Sequence, residues 1–309
     1  MVGDCMSIVD TLIDCFKTEA FTLKEAYEKC KGVNKESVRA RVYEGLGVKF
    51  KKLGRGLYIN KDADCLLIEG DGRDLSILQD GSIDCIITDH PWADPKANKG
   101  GNRNFSDYET FQYTLDDFKE KARVLKDGSF LVEVIPNENE SNFDYLYQLK
   151  KMAQEAGFEY YCKVPWVKGT FVSNTGRNCK NREDLMIFSK GKARALKLDA
   201  KKIKATGEIH RMSGTNGMLP AEFNVQPPSK KEQICQSEKP SALFEQLLEY
   251  ITLENEVVLD QFAGSGSVGE ACVKTNRKCI LIEKAKDKVE KIAERLGMRC
   301  IKVDASQSA

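Results

Sequence analysis

The chain has 309 residues, 41% of them hydrophobic and 31% charged, which excludes a disordered polypeptide and leaves enough length for one large core with a small appendage. Lysine and arginine total 48 against 47 acids, and apolar runs such as Cys85-Ile86-Ile87 fall far short of the ~18 residues a membrane-spanning helix needs. The opening residues, Met1 to Cys5, lack the basic and apolar stretches of a secretion signal, so a cytoplasmic protein with no membrane attachment is expected.

Residues 1–62 read as a separate unit. Apolar spacing at Ile8, Leu12, Ile13 and Phe16 predicts a helix, Thr22 followed by Glu25 opens a second with a capping-box pattern, and residues 34–43 form a third. From Val48 to Asn60 the pattern alternates and turns at Gly54-Arg55-Gly56, predicting a hairpin. Three helices followed by a basic hairpin resemble a winged helix-turn-helix domain. Lys49, Lys51, Lys52 and Arg55 are its candidate phosphate contacts, since no acid falls between residues 49 and 61. Protein contact or homodimerisation is the alternative use of such a domain.

Residues 63–309 alternate strand and helix. Strands are predicted at 65–69, 84–88 and 129–135, with helices at 74–78, 115–125 and 143–156. After a segment at 163–238 come a helix at 241–251, a strand at 257–260, a helix at 269–274, a strand at 278–283 and a last helix at 289–296. Strand, helix, strand without tight hairpins predicts an α/β fold, a parallel sheet covered on both faces. Within the intervening segment, residues 163–204 carry twelve basic residues against three acids. Such a stripe suits a polyanion, with Lys168, Arg177, Lys180 and Arg182 around a loop expected over 169–181 as candidate nucleic-acid contacts. Eleven cysteines are scattered, Cys272 and Cys279 being the closest pair, and there are two histidines, so no metal site is expected and the thiols read as core residues.

Two motifs carry chemistry. Leu259-Asp260-Gln261-Phe262-Ala263-Gly264-Ser265-Gly266 runs from a strand into a helix; its glycines let a ligand approach the main chain, and Glu283, at the next strand end, is placed to accept two ribose hydroxyls. Thr88-Asp89-His90-Pro91-Trp92 closes another strand. There a carboxylate, a main-chain carbonyl and an aromatic plate suit a flat base with an exocyclic amine. Residues 93–108, with Phe105 and Tyr108, read as a loop that closes over that base.

Together with Ile68 to Asp89, Ala122 to Ser129, Trp166 to Gly169, Arg182 to Lys192, Glu238 to Leu248 and Thr275 to Glu283, these motifs make residues 65–300 resemble the amino-methylating (adenine N6 or cytosine N4) DNA methyltransferases of the beta arrangement. The resemblance implies a Rossmann-like, seven-stranded, S-adenosylmethionine-dependent enzyme that methylates double-stranded DNA by base flipping, in the setting of restriction–modification. It implies that Asp260, Phe262, Ala263, Gly264, Ser265 and Gly266 hold the methionine end, that Lys239, Pro240 and Leu243 close over it, and that Glu283 takes the ribose. Asp71, or Asp304 in its place, falls on the cofactor adenine. Asp89, His90, Pro91 and Trp92 form the catalytic motif, with His90 standing where the family usually has proline. A general-base role for His90 is unnecessary, because the amine becomes acidic once methylated. Asp89 favours adenine, since cytosine-directed relatives often carry serine there. A cytosine N4 or RNA amino-methyltransferase and an inactive DNA-binding regulator are the alternatives.

Overall fold

The computed structural model describes residues 6–16, 20–54, 56–60, 65–92, 110–172, 178–198, 201–203, 209–211, 217–229, 231, 233–235, 238–297 and 300–302. Arg55, Arg177, Asp304 and the loop expected over 93–108 lie outside them. In the first unit, α1 (Ile8–Phe16) buries Leu12 and Phe16. α2 (Leu23–Lys29) opens on a reciprocal cap in which the Glu25 N–H donates to the Thr22 hydroxyl and the Thr22 N–H to the Glu25 carboxylate. Asn34 caps α3 (Lys35–Glu44). Strands β1 (Ala20–Thr22), β2 (Phe50–Gly54) and β3 (Leu57–Asn60) form an antiparallel sheet in the order β1-β3-β2. Phe21, Phe50 and Tyr58 pack on Val38 and Val42 in a core of their own.

The second unit is built on β4 (Cys65–Glu69), β5 (Ile83–Thr88), α4 (Leu115–Val124), β6 (Leu125–Pro136), α5 (Phe143–Glu155), β7 (Phe158–Val172), β8 (Asn178–Lys190), β9 (Lys201–Ile203), β10 (Ile209–Arg211), β11 (Phe223–Asn224), α6 (Ser241–Ile251), β12 (Val257–Asp260), α7 (Ser267–Lys274), β13 (Lys278–Glu283), α8 (Lys286–Leu296) and β14 (Cys300–Lys302). The main sheet runs β11-β7-β8-β6-β5-β12-β13-β4-β14, with β8 antiparallel to both neighbours and every other pair parallel. It has nine strands among the described residues instead of the expected seven, because β11 and β14, two and three residues long, extend its edges. Alternate residues of the central strands face opposite layers. Leu66, Ile68, Ile86 and Leu259 meet α4 and α5 on one side. Cys65, Leu67, Cys85, Val258, Cys279 and Leu281 meet α6, α7 and α8 on the other, and Cys272 of α7 joins them as a buried cysteine. No helix of the described residues is long and apolar enough to cross a membrane.

Two expected elements differ. The helix predicted over 74–78 is a run of turns, since Asp71 and Asp74 accept the N–H groups of Arg73 and Ser76 and so compete with helical pairing. The loop predicted over 169–181 is largely ladder, with Gly169 opposite Asn181 and Val172 opposite Asn178.

The small unit seats against the end of the main sheet where the parallel strands begin. Ile59 joins the main core beside Ile83 and Val257. Lys51 is half-buried near Asp84, Lys126 and Lys278, residues at the starts of β5, β6 and β13, and its burial followed by the nearby Lys126 charge lowers its ammonium. Lys51 therefore does not present the free phosphate contact expected of it. Lys49 is exposed and Lys52 half-buried.

The opposite end of the sheet is pinned by a close crossing of two loops. A Cβ on Gly72 would lie 1.8 Å from the Gln261 carbonyl oxygen, and the Gln261 side-chain amide donates to the Gly72 carbonyl at 2.6 Å. Gly72→Ala should therefore lower stability by about 1–3 kcal/mol, since backbone must move to admit the methyl group. Denaturant titration checks this, and an unchanged midpoint would show that the crossing has slack.

Candidate active site

The C-terminal ends of β5, β12, β13 and β4 lie side by side, so Asp89, Asp260, Glu283 and Asp71 share one edge of the sheet. At the end of β5 the Trp92 N–H donates to the His90 carbonyl at 2.8 Å, folding residues 90–92 into a tight turn, and the Phe111 N–H donates to the Pro91 carbonyl at 3.0 Å. Pro91 and Trp92 are half-buried, and the Asp89 side chain is 36% exposed.

His90 faces the other way. Side chains alternate along an extended segment, so a turn that presents Asp89 outward sends the next residue in. The side chain is 1% exposed, its ring lies tilted against Tyr113 with centroids 4.1 Å apart, and it hydrogen-bonds through Nε2 to the Tyr145 hydroxyl. Its Nδ1 lies 3.7 Å from Glu133 Oε2. The His90 ring is thus held in the core, in line with a motif that needs only its main-chain carbonyl. Beneath it, Glu133 and Lys121 form an ion pair with no exposed side-chain surface. Burial pushes the Glu133 carboxyl up, but the Lys121 ammonium and then the His90 ring outweigh it and hold the group below the ordinary carboxylate range.

On the neighbouring strand, Gly264 and Gly266 take positive φ angles of 56° and 79°. Their roles separate. A Cβ on Gly264 would meet nothing nearer than the Phe262 carbonyl oxygen at 3.8 Å, whereas one on Gly266 would lie 3.0 Å from Ile292 of α8. At Gly264 a Cβ would make only ordinary contact; Gly266 serves helix packing. The Gly264 N–H donates to Glu283 Oε2 at 2.8 Å and the Ala285 N–H to Oε1 at 2.9 Å, fixing the Glu283 carboxylate beside the glycine turn. Ala263 and Ser265 are buried in the turn, with the Ala263 N–H on the Ile282 carbonyl. Asp71 is chelated by Arg73, whose hydrogen bonds outweigh partial burial and lower its carboxyl. Asp260 is buried, and burial together with the charges of Asp89 and Glu283 pushes it up to about 8 against the pull of the hydrogen bond it accepts from the Phe262 N–H at 3.2 Å.

Lys239, expected over the methionine end, instead places its ammonium on Asp89, donating from Nζ to Oδ2 at 2.6 Å. Burial opposes the charge, but Asp89 and Glu183 outweigh it and hold the ammonium above its usual range. Pro240 precedes α6 at its cap, and Leu243 is fully buried in the core under that helix. Of the basic segment, Lys168 pairs with Glu183, Arg182 donates from Nε to Asn137 at 2.6 Å, and Lys180 stands opposite Thr170 in the ladder. Glu183, Glu133, Lys121, Phe111, Tyr113 and Tyr145 were not singled out in the sequence. For Glu133 a signal exists, an acid inside the apolar run Phe130 to Ile135. Among the described residues, no three His, Cys, Asp or Glu side chains converge as metal ligands.

The sequence profile of a family described as DNA methylase, of the N6/N4 class, matches residues 83–295. The type II methyltransferase M.HpaI of Haemophilus parainfluenzae is 28% identical over 228 residues, which is 72% of this chain and 70% of that protein. Among solved structures, a complex of M1.HpyAVI with SAM is similar with a TM-score of 0.54 and 21% identity, over 76% of this chain and 100% of the other. The cytosine-N4-specific PvuII DNA methyltransferase is similar with a TM-score of 0.52 and 18% identity, over 79% and 88%. At these identities the structural likeness speaks for the fold.

The raised carboxyl of Asp260 has a consequence for pH. Between its ordinary value of 3.8 and about 8 the group is protonated in the folded chain and ionised in the unfolded one. The folded state then holds the extra proton, so this residue's contribution to stability falls as pH rises through that window. Asp260→Asn should gain in melting temperature relative to the parent chain between pH 4 and pH 8. Two curves that run parallel would mean that Asp260 is already ionised in the folded protein.

Proposed function

The chain belongs to the N6/N4 class of DNA methylases, and on that footing we propose that it transfers a methyl group from S-adenosylmethionine to the N6 amine of adenine in double-stranded DNA. The observation that carries this reading is the pairing of an outward carboxylate, Asp89, with the open turn at Gly264 on the adjacent strand; Ile86 and Leu259 are register partners just upstream of each. The uncrowded turn at Gly264 and three acidic side chains, Asp260, Glu283 and Asp71, fit a ligand that carries an ammonium, a sulfonium, a ribose diol and an adenine. When bound, S-adenosylmethionine supplies an electrophilic methyl group on its sulfonium.

The chain's own residues do the rest. The Gly264 turn and Asp260 would hold the amino-acid end, Glu283 the ribose and Asp71 the adenine amine. An aryl amine is a poor nucleophile because its lone pair is delocalised into the ring. Asp89 and the His90 carbonyl accept its two hydrogens, favour a pyramidal nitrogen and stabilise the positive charge that develops on it. Trp92 replaces the stacking that the extruded base loses. After transfer the amine's proton leaves to Asp89 or to water, without passing through the buried His90 ring. Residues 63–309 form the methyltransferase domain, with 163–238 as its target-recognition segment, gripping the backbone through Lys168, Arg182 and their neighbours. Residues 1–62, whose helices and sheet follow the order of a winged helix, add a further nucleic-acid contact. Asp89 supports adenine over cytosine.

Methylation-sensitive sequencing of DNA from cells that express the chain should reveal N6-methyladenine at one short recurring site. N4-methylcytosine would move the target to the other base, and unmodified DNA would overturn the proposal. In vitro, Asp89→Ala should cost ~10²-fold or more in methyl transfer, the scale of losing one aimed polar group, while Asp89→Asn keeps part of the rate through its remaining acceptor oxygen. A parental rate in Asp89→Ala leaves the motif as a structural turn. Valine strains the backbone at either glycine, since both have positive φ; beyond that shared loss of stability, Gly264→Val should abolish S-adenosylmethionine binding in calorimetry, whereas Gly266→Val should lower the melting temperature further through its contact with Ile292. The reverse pattern would place the ligand elsewhere.

A further inference from the structure

Lys239 stands between two carboxylates. Its Nζ donates to Asp89 Oδ2 at 2.6 Å and lies 3.4 Å from Glu183 Oε2. That second oxygen is buried and takes no hydrogen bond among the described residues, while Glu183 Oε1 is held by Lys168. Charges therefore alternate from the basic strand pair inward, in the order Lys168, Glu183, Lys239, Asp89. The Lys239 side chain is 10% exposed, and Asp89 opens to solvent on its far side.

This arrangement conflicts with the chemistry proposed above, on which the following inference rests. The target amine must donate to Asp89, and it becomes cationic as it is methylated. An ammonium already on Oδ2 takes one of that carboxylate's two acceptor oxygens and repels the developing charge. Glu183 Oε2, aimed at the same ammonium and without a hydrogen bond, offers it another seat.

We propose that Lys239 is a positioning residue that takes the target amine's place on Asp89 while the enzyme is free of DNA, and passes to Glu183 when Lys168 leaves Glu183 for the DNA backbone. No proton changes hands; the ammonium exchanges one carboxylate for another. The exchange ties catalysis to backbone engagement. A free nucleobase, with no phosphate to draw Lys168 away, meets an Asp89 that is still occupied, so the arrangement selects bases presented on a nucleic-acid strand.

The test is a rescue in the full-length chain. Glu183→Gln takes the charge from the second seat, so the ammonium stays on Asp89, and should lower kcat by ~10²-fold, with the KM for S-adenosylmethionine unchanged. Adding Lys239→Met to that variant removes the competing ammonium and should restore at least ~10-fold of the loss. A second readout needs no methyl donor: a duplex with 2-aminopurine (or pyrrolo-cytosine) at the site found by sequencing brightens when the base is extruded. That signal should be weaker with Glu183→Gln and recover in the double variant. With Glu183 intact, Lys239→Met alone should raise it, because Asp89 is exposed enough to remain solvated without its partner. A double variant no better than Glu183→Gln, or a Lys239→Met chain that loses the extrusion signal, overturns the exchange. If the parent chain methylates no DNA, the proposed function has failed instead; if it methylates and no rescue appears, only the exchange is lost.

Discussion

Glu133 carries its charge in the middle of the central sheet with none of its side chain exposed, and the catalytic edge is built on how that charge is matched. An unpaired carboxylate there would be costly, and breaking such a buried pair typically costs about 3–5 kcal/mol. Lys121, equally buried, supplies the partner from α4 and lies 3.7 Å from the Tyr113 ring centroid. The Tyr113 hydroxyl donates to the remaining oxygen at 3.3 Å. One ion pair thus fixes a helix to a strand and gives the inward-facing His90 a polar floor. Because His90 is rooted there, the turn that carries Asp89 leaves the sheet in a set direction.

Above the turn, charge is managed differently. Asp89, Asp260 and Glu283 converge where parallel strands end, and three ionised carboxylates so close would repel one another. The free protein resolves this in two ways: Asp260 holds its proton, and Asp89 takes an ammonium from Lys239. Both compensations are reversible. A cationic ligand entering this edge makes either of them dispensable, so the site is poised for positive charge in a way the sealed pair below it is not.

Elements with strong periodicity were readable from sequence alone. The strands at 257–260 and 278–283 and the helix at 241–251 have the expected boundaries, because each is bounded by turn residues and buried on a predictable face. The Asp89 turn and the glycine loop were also legible, since both depend on local residue types. The partners of Asp89 were not. Lys239 reaches it across 150 positions of sequence, and Glu183 enters the cluster through the β7–β8 ladder, which sets it opposite Trp166. The inward turn of His90 has the same origin: its residue type suggested chemistry, while the pleat of the strand decided its direction. Lys51 looked like its basic neighbours and became half-buried because the small unit seats against the larger one.

The thiols packed beneath the central strands give the sheet an internal clock. Cys65, Cys85, Cys272 and Cys279 are buried against the α6, α7 and α8 layer, and burial pushes the Cys85 and Cys272 thiols up, away from the reactive thiolate. A thiol reagent reaches them only through an opening of the sheet itself, whereas exposed Cys15 in α1 reacts without one. The labelling rate of the buried set, referred to that of Cys15, therefore measures how often the layers part at the strands that hold both Asp89 and the glycine turn.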